Sequence, residues 1–126
     1  METQTSQEAA EKYLVNCADG ANNPERATIP FILAFTASKT NETAVFVTAD
    51  AAQICVKGGA ETIAADGYEP LSDLVDGFVA NGGKLWLCPA CAKAKGIAAD
   101  DLIPGAEIAG APKTMAFLSS GAKLLN

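Results

Sequence analysis

The sequence predicts an α/β fold built on a mostly parallel sheet of four or five strands. Three observations carry that expectation. Short strand-like runs alternate with helical stretches from Lys12 onward. The runs are apolar at most positions rather than at every second one, the pattern of strands covered on both faces. The 126 residues are 49% apolar and 19% charged, with a mean hydropathy of +0.16. That balance fits one packed domain and excludes a disordered chain.

Residues 1–10 are polar and read as a flexible N-terminal tail or a frayed helix, leaving 11–126 as a single domain. Lys12–Cys17 is the first strand, and Ala18–Asn23 is a loop. Asn23 is a good N-cap and Pro24 suits the first position of a helix that reaches about Lys39. Pro30 interrupts this stretch: either it kinks the helix, or Thr28 caps a helix that starts later. Thr43–Thr48, β-branched and aromatic, is the second strand. Asp50–Lys57 reads as a short helix closed by Gly58-Gly59, and residues 60–69 as a loop. Pro70–Asn81 is an amphipathic helix with Leu71, Leu74, Val75, Phe78 and Val79 at helical spacing. Lys84–Leu87 is the third strand. It runs directly into a helical segment, Cys88–Lys95, with Pro89 near its start and Gly96 as its stop. Ala106–Ala109 is a weaker fourth strand, and Ala111 to about Leu125 is the last helix.

Composition excludes several functions. Nine basic against 15 acidic residues give a net charge of −6, and no basic run offsets it, so nucleic acid is not an expected partner. The most apolar segment, Ile29–Phe35, is far shorter than the roughly 20 residues that span a bilayer. Met1–Glu8 lacks the basic start and apolar stretch of a signal peptide. The chain therefore reads as soluble and cytoplasmic, with no membrane association. There is no histidine, which removes Ser-His-Asp and Cys-His pairs and imidazole metal ligands. No Gly-x-Gly-x-x-Gly or P-loop pattern is present, and no cofactor is expected.

The chemistry that remains is in the cysteines, at 17, 55, 88 and 91. In a reducing compartment they are thiols, ligands or redox centres rather than a disulfide framework. Ligands of open parallel sheets bind beyond the carboxyl ends of the strands. Here those ends bring together Cys17–Gly20, Thr48–Asp50, Cys88–Cys91 and Gly110–Lys113. Cys55 lies inside a helical stretch and reads as a small core residue. Cys88 heads a helix just before Pro89, where unpaired amides favour a thiolate, the nucleophilic form. Cys91 is on the same turn, placed to resolve an intermediate on Cys88 or to be a spectator. Cys17, Asp19, Asp50, Pro89 and Lys93 are candidates to line a substrate pocket around it. Asp19 and Asp50 at strand ends are more often loop turns or helix caps, and Lys93 equally suits a solvated helix face.

Cys88-Pro89-Ala90-Cys91 has three readings. A thioredoxin-like dithiol is disfavoured, because only 35 residues follow Cys91, too few for the sheet and helix that should come after such a motif. A zinc site within the chain is disfavoured, because one Cys-x-x-Cys supplies two ligands and there is no second close pair; a metal shared by two chains stays open. The third is a reactive thiolate that passes on sulfur or senses oxidants. Against it stand a non-catalytic module whose cysteines are structural and a peroxidase-like thiol protein.

The chain resembles the DsrE/DsrF-like family of small sulfur-relay proteins from Lys12 onward. The segments that carry this are Lys12–Gly20, Asn23–Thr28, Val45–Asp50, Pro70–Leu87, Leu87–Ile97 and Asp101–Ile108. The most specific is Leu87–Ile97, a cysteine after the third strand, a short helix with basic residues, then Gly and an aliphatic residue. The resemblance implies a flavodoxin-like three-layer sandwich, assembled as a homotrimer or homohexamer. It also implies persulfide transfer on Cys88, with sulfur donor and acceptor proteins as partners. Lys95 stands where some members have Arg, and a second cysteine such as Cys91 occurs in a subset of the family.

Overall fold

Alternation along the strands decides which side chains meet which helices. In the computed structural model, which describes residues 11–126, the strands are β1 (Lys12–Cys17), β2 (Glu42–Val47), β3 (Lys84–Leu87), β4 (Ala106–Ile108) and β5 (Lys123–Leu124). They form one sheet in the order β4-β3-β2-β1-β5, with every pairing parallel. The helices are α1 (Pro24–Ser38), α2 (Leu71–Ala80), α3 (Pro89–Ala94) and α4 (Ala111–Ser119). Shorter 3₁₀ stretches cover Ala49–Cys55, Ala60–Thr62 and Ala99–Asp101. The expected tail at residues 1–10 lies outside the described residues.

Val15, Val45, Val47, Leu85 and Leu87 point to one face, where they are buried with Phe31 and Ala34 of α1 and Leu71, Leu74 and Phe78 of α2. Phe31 and Phe78 meet edge to face at 6.2 Å, worth about 0.5–1.5 kcal/mol beyond the area they bury. The intervening positions, Leu14, Ala44 and Trp86, turn to the other face with Phe46 against Phe117 and Leu118. Trp86 stacks edge to face on Phe117 at 5.2 Å. Helices on both faces of a parallel sheet make a three-layer α/β sandwich, the form that the family resemblance implies.

The two readings of α1 resolve in favour of Asn23. Its side chain accepts from the Arg26 N–H at 3.2 Å, Pro24 takes the first helical position, and the helix continues through Pro30. Thr28 caps nothing; its hydroxyl donates to the Pro24 carbonyl at 2.7 Å. The expected helix at Asp50–Lys57 is instead the tighter 3₁₀ stretch Ala49–Cys55. Three residues per turn place Ala51 over Ile54 and Ala52 over Cys55, and all four are buried. The last helix is shorter than expected. It stops at Ser119, Gly121 turns the chain at φ +111°, and Lys123-Leu124 adds β5 to the free edge of β1. The left-handed turn is open to glycine and closed to most other residues.

Candidate functional site

The carboxyl ends of the strands are tied together one residue beyond each element. Thr48 N–H donates to the Cys17 carbonyl, Cys88 N–H to the Val47 carbonyl and Ala109 N–H to the Leu87 carbonyl, each at 3.0 Å. This lays the four expected loops side by side along one edge. Gly20 lets the first loop pack on the second, because a Cβ there would run into the Asp50 carbonyl.

Cys88 is the N-cap residue of α3. Its carbonyl accepts the first helical bond, from Ala92 N–H at 2.9 Å. Pro89 fixes the first turn and packs against Gly110. At the other end Gly96 (φ +69°) follows the C-cap. Gly96 N–H bonds back to the Lys93 carbonyl and Ile97 N–H to that of Ala92, the paired reversal that only a left-handed residue allows. The six-residue helix is thereby closed at its carboxyl end.

Cys88 is half-buried and free. Its side chain makes no capping hydrogen bond, but the neighbouring amides still hold its pKa below the usual thiol value. The Cys91 amide contributes most, partial burial opposes it, and the Cys91 thiol and the Ala90 amide add to the lowering. Cys91 is also half-buried and free. Its Sγ accepts a hydrogen bond from the Ala49 N–H at 3.1 Å. Ala49 has φ +50°, a left-handed conformation uncommon for a residue with a Cβ. Asp50, next in the chain, reaches Lys95 across 3.7 Å with both side chains exposed. The 48–50 loop therefore borders the Cys91 thiol directly.

The other expected pocket residues are scattered. Cys17 is 1% exposed, and its Sγ turns inward to the carbonyls of Asp19 and Ala27. Burial pushes its pKa up to about 12. It belongs to the core, so its expected place in a pocket around Cys88 is corrected. The signal was present in the sequence: Cys17 shares the parity of Val15, on the face that packs against α1. Cys55 is fully buried, as expected, with its pKa likewise pushed up to about 12 by burial and then by the Cys17 charge. Asp19 holds its own loop, accepting from the Asn22 amide at 2.8 Å and facing Arg26 at 3.4 Å. It lines a pocket of about 390 Å³ with Asn16, Ala18, Arg26, Ile29, Pro30 and Asn126. Neither Cys88 nor Cys91 borders that pocket. Lys93 is exposed in the last turn of α3. Ala49 is the contributor that sequence reasoning missed, since alanine carries no signal for a left-handed turn.

Among the described residues, no three His, Cys, Asp or Glu side chains are grouped so as to hold a metal ion, and no helix is long and apolar enough to cross a membrane. The arrangement offers two neighbouring reachable thiols, one of them biased towards its thiolate. Such a pair can attack a sulfur–sulfur bond, carry the transferred atom, or close on itself.

Comparison with known proteins agrees with this architecture. The crystal structure of the ychN protein from E. coli superposes with a TM-score of 0.76 at 20% identity, over 91% of this chain and 97% of that one. A protein of unknown function from Methanobacterium thermoautotrophicum, MTH1491, superposes with a TM-score of 0.64 at 14% identity, over the same shares. At such identities the likeness is one of fold. An uncharacterized Methanocaldococcus jannaschii protein, MJ0760, is 33% identical over 110 residues, which are 86% of this chain. The chain spans about 40% of the length of that curated relative. The family model for DsrE/DsrF-like proteins matches residues 11–126, the whole of the sheet and its helices, and so the chain belongs to the DsrE/DsrF-like family.

Proposed function

We propose that this protein is a sulfur carrier that passes persulfide sulfur through Cys88. Its family supports a role related to sulfur relay. The observation that carries the finer reading is the placement of Cys88: half-buried, free, and with its thiolate favoured by the Cys91 and Ala90 amides. A thiolate so favoured needs no histidine base.

In the reaction, the Cys88 thiolate attacks the outer sulfur of a donor persulfide. The new S–S bond forms as the old one breaks, and the donor leaves as a thiolate. The acceptor then repeats the exchange on the outer sulfur of the Cys88 persulfide, and Cys88 returns as a thiolate. No net oxidation occurs and no cofactor is needed. Donor and acceptor are proteins that present a cysteine, and the setting is a reducing cytoplasm in which the unloaded chain keeps its four thiols free. A homotrimer or homohexamer would frame the exposed edge that carries Cys88, with Pro89, Lys93 and Asp50 at its rim.

The test is mass spectrometry after incubation with a small persulfide donor. The native chain should gain a sulfur atom on the Cys88 peptide, and Cys88→Ser should gain none there. Equal loading of the two chains would overturn the proposal in favour of a module whose cysteines are structural.

A further inference from the structure

Cys91 has a fixed place that a spectator would not require. It lies three residues from Cys88, on the same turn of α3, where i and i+3 side chains are neighbours. The Ala49 N–H stands 3.1 Å from its Sγ and comes from 42 residues away in sequence. Ala49 donates this bond while itself adopting φ +50°. A left-handed alanine costs about 1 kcal/mol or more and persists only where its surroundings impose it. Here the surroundings are the Asp50–Lys95 pair, which ties the loop to the end of α3, and the buried Ala51 and Ala52 that follow.

We infer that Cys91 is the resolving thiol of this site and that Ala49, through its backbone N–H, is the positioning residue that aims it at Cys88. This rests on the reading of Cys88 as the sulfur carrier and extends it from transfer to discharge. The Cys91 thiolate attacks the inner sulfur of the Cys88 persulfide. A Cys88–Cys91 disulfide forms, the bond to the outer sulfur breaks, and hydrosulfide leaves. The two electrons gained by the outer sulfur come from the two cysteine sulfurs, so the step needs no external oxidant. Return to the dithiol requires a reductant of the dithiol class, which places a thiol–disulfide exchange reaction after this one. A loaded chain thus has two exits: a protein acceptor that reaches the outer sulfur first, or Cys91.

The experiment loads the full chain with a small persulfide donor and removes the excess. It then follows released hydrosulfide and the mass of the 88–91 peptide without reduction, both per loaded chain. The native chain should release its sulfur as hydrosulfide and end as the internal disulfide. Cys91→Ser should keep its persulfide, with release slower by at least about tenfold. Ala49→Val disfavours the left-handed turn and should slow release by about tenfold to a hundredfold, the usual effect of misplacing a reacting group. Ala49→Gly accommodates φ +50° and should stay within about twofold of the native rate, a pattern that a general loss of stability would not reproduce. Release from Cys91→Ser at the native rate, or a loaded native chain that forms no disulfide, overturns the inference and leaves the carrier reading intact. Failure of the native chain to load at Cys88 overturns both.

Discussion

Cys17 and Cys55 are 1% and 0% exposed on the covered face of the sheet, whereas Cys88 and Cys91 are half-buried at its carboxyl edge. The residue type is the same, and the chemistry diverges because of what surrounds each sulfur. Around the first pair, apolar packing removes water and pushes both thiols up to about 12. Around Cys88, amides of its own turn lie close enough to outweigh partial burial and favour the charge. Cys17 and Cys88 both stand at strand ends. What separates them is parity: one side chain continues the core face, and the other begins a helix.

The largest expected effect is on labelling. With values near 12, about one in 10⁵ of either buried thiol is ionised at pH 7. Peptide-resolved iodoacetamide labelling should therefore modify Cys88 at least about a thousandfold faster than Cys17 or Cys55. Comparable rates would erase the distinction between the pairs.

Alkaline unfolding comes next. Folding raises the pKa of Cys17 and Cys55, so the protonated form is the one the fold favours. Their contribution to stability is complete below the ordinary thiol value of 9.0 and is lost as pH climbs from there towards about 12. The loss is on the order of a few kcal/mol for the pair. Urea unfolding at pH 8 and pH 11 should show it, and a Cys17→Ala/Cys55→Ala chain should lose less over the same interval. Depression of the Cys88 pKa acts in the opposite direction, adding stability above the unfolded value and losing it as pH falls through the folded one.

Smaller effects sharpen the contrast. Cys55→Ser places a hydroxyl in the buried apolar cluster and should cost about 1–3 kcal/mol while leaving the Cys88 labelling rate unchanged. The smallest change is Asp50→Asn. With 57% and 41% of the two side chains exposed, loss of the Lys95 pair should cost at most about 1 kcal/mol, read as a shift in thermal midpoint.

Much of this was legible in the amino-acid order, and the reasons differ by element. β1 to β3 are mostly apolar runs bounded by turn residues, a local signal. Cys88 at the head of α3 follows from a strand that meets Pro at the first helical position. β5 has only two residues, and the leucines around it imitate the tail of an amphipathic helix; Gly121 was the mark that ended it. The 3₁₀ form of Ala49–Cys55 depends on small side chains stacking against a core assembled from distant strands, so no local period announces it. The Ala49–Cys91 contact joins positions 42 residues apart and exists only once β2 and β3 are paired.

The central claim is that the fold keeps the Cys88 sulfur reachable and biased towards its ionised form. Its most direct test is the rate of iodoacetamide labelling at the Cys88 peptide of the native chain, followed from pH 5 to pH 10. The midpoint should lie below the ordinary thiol value of 9.0; a midpoint at or above that value would mean that the amides of the turn do not favour the ionised sulfur.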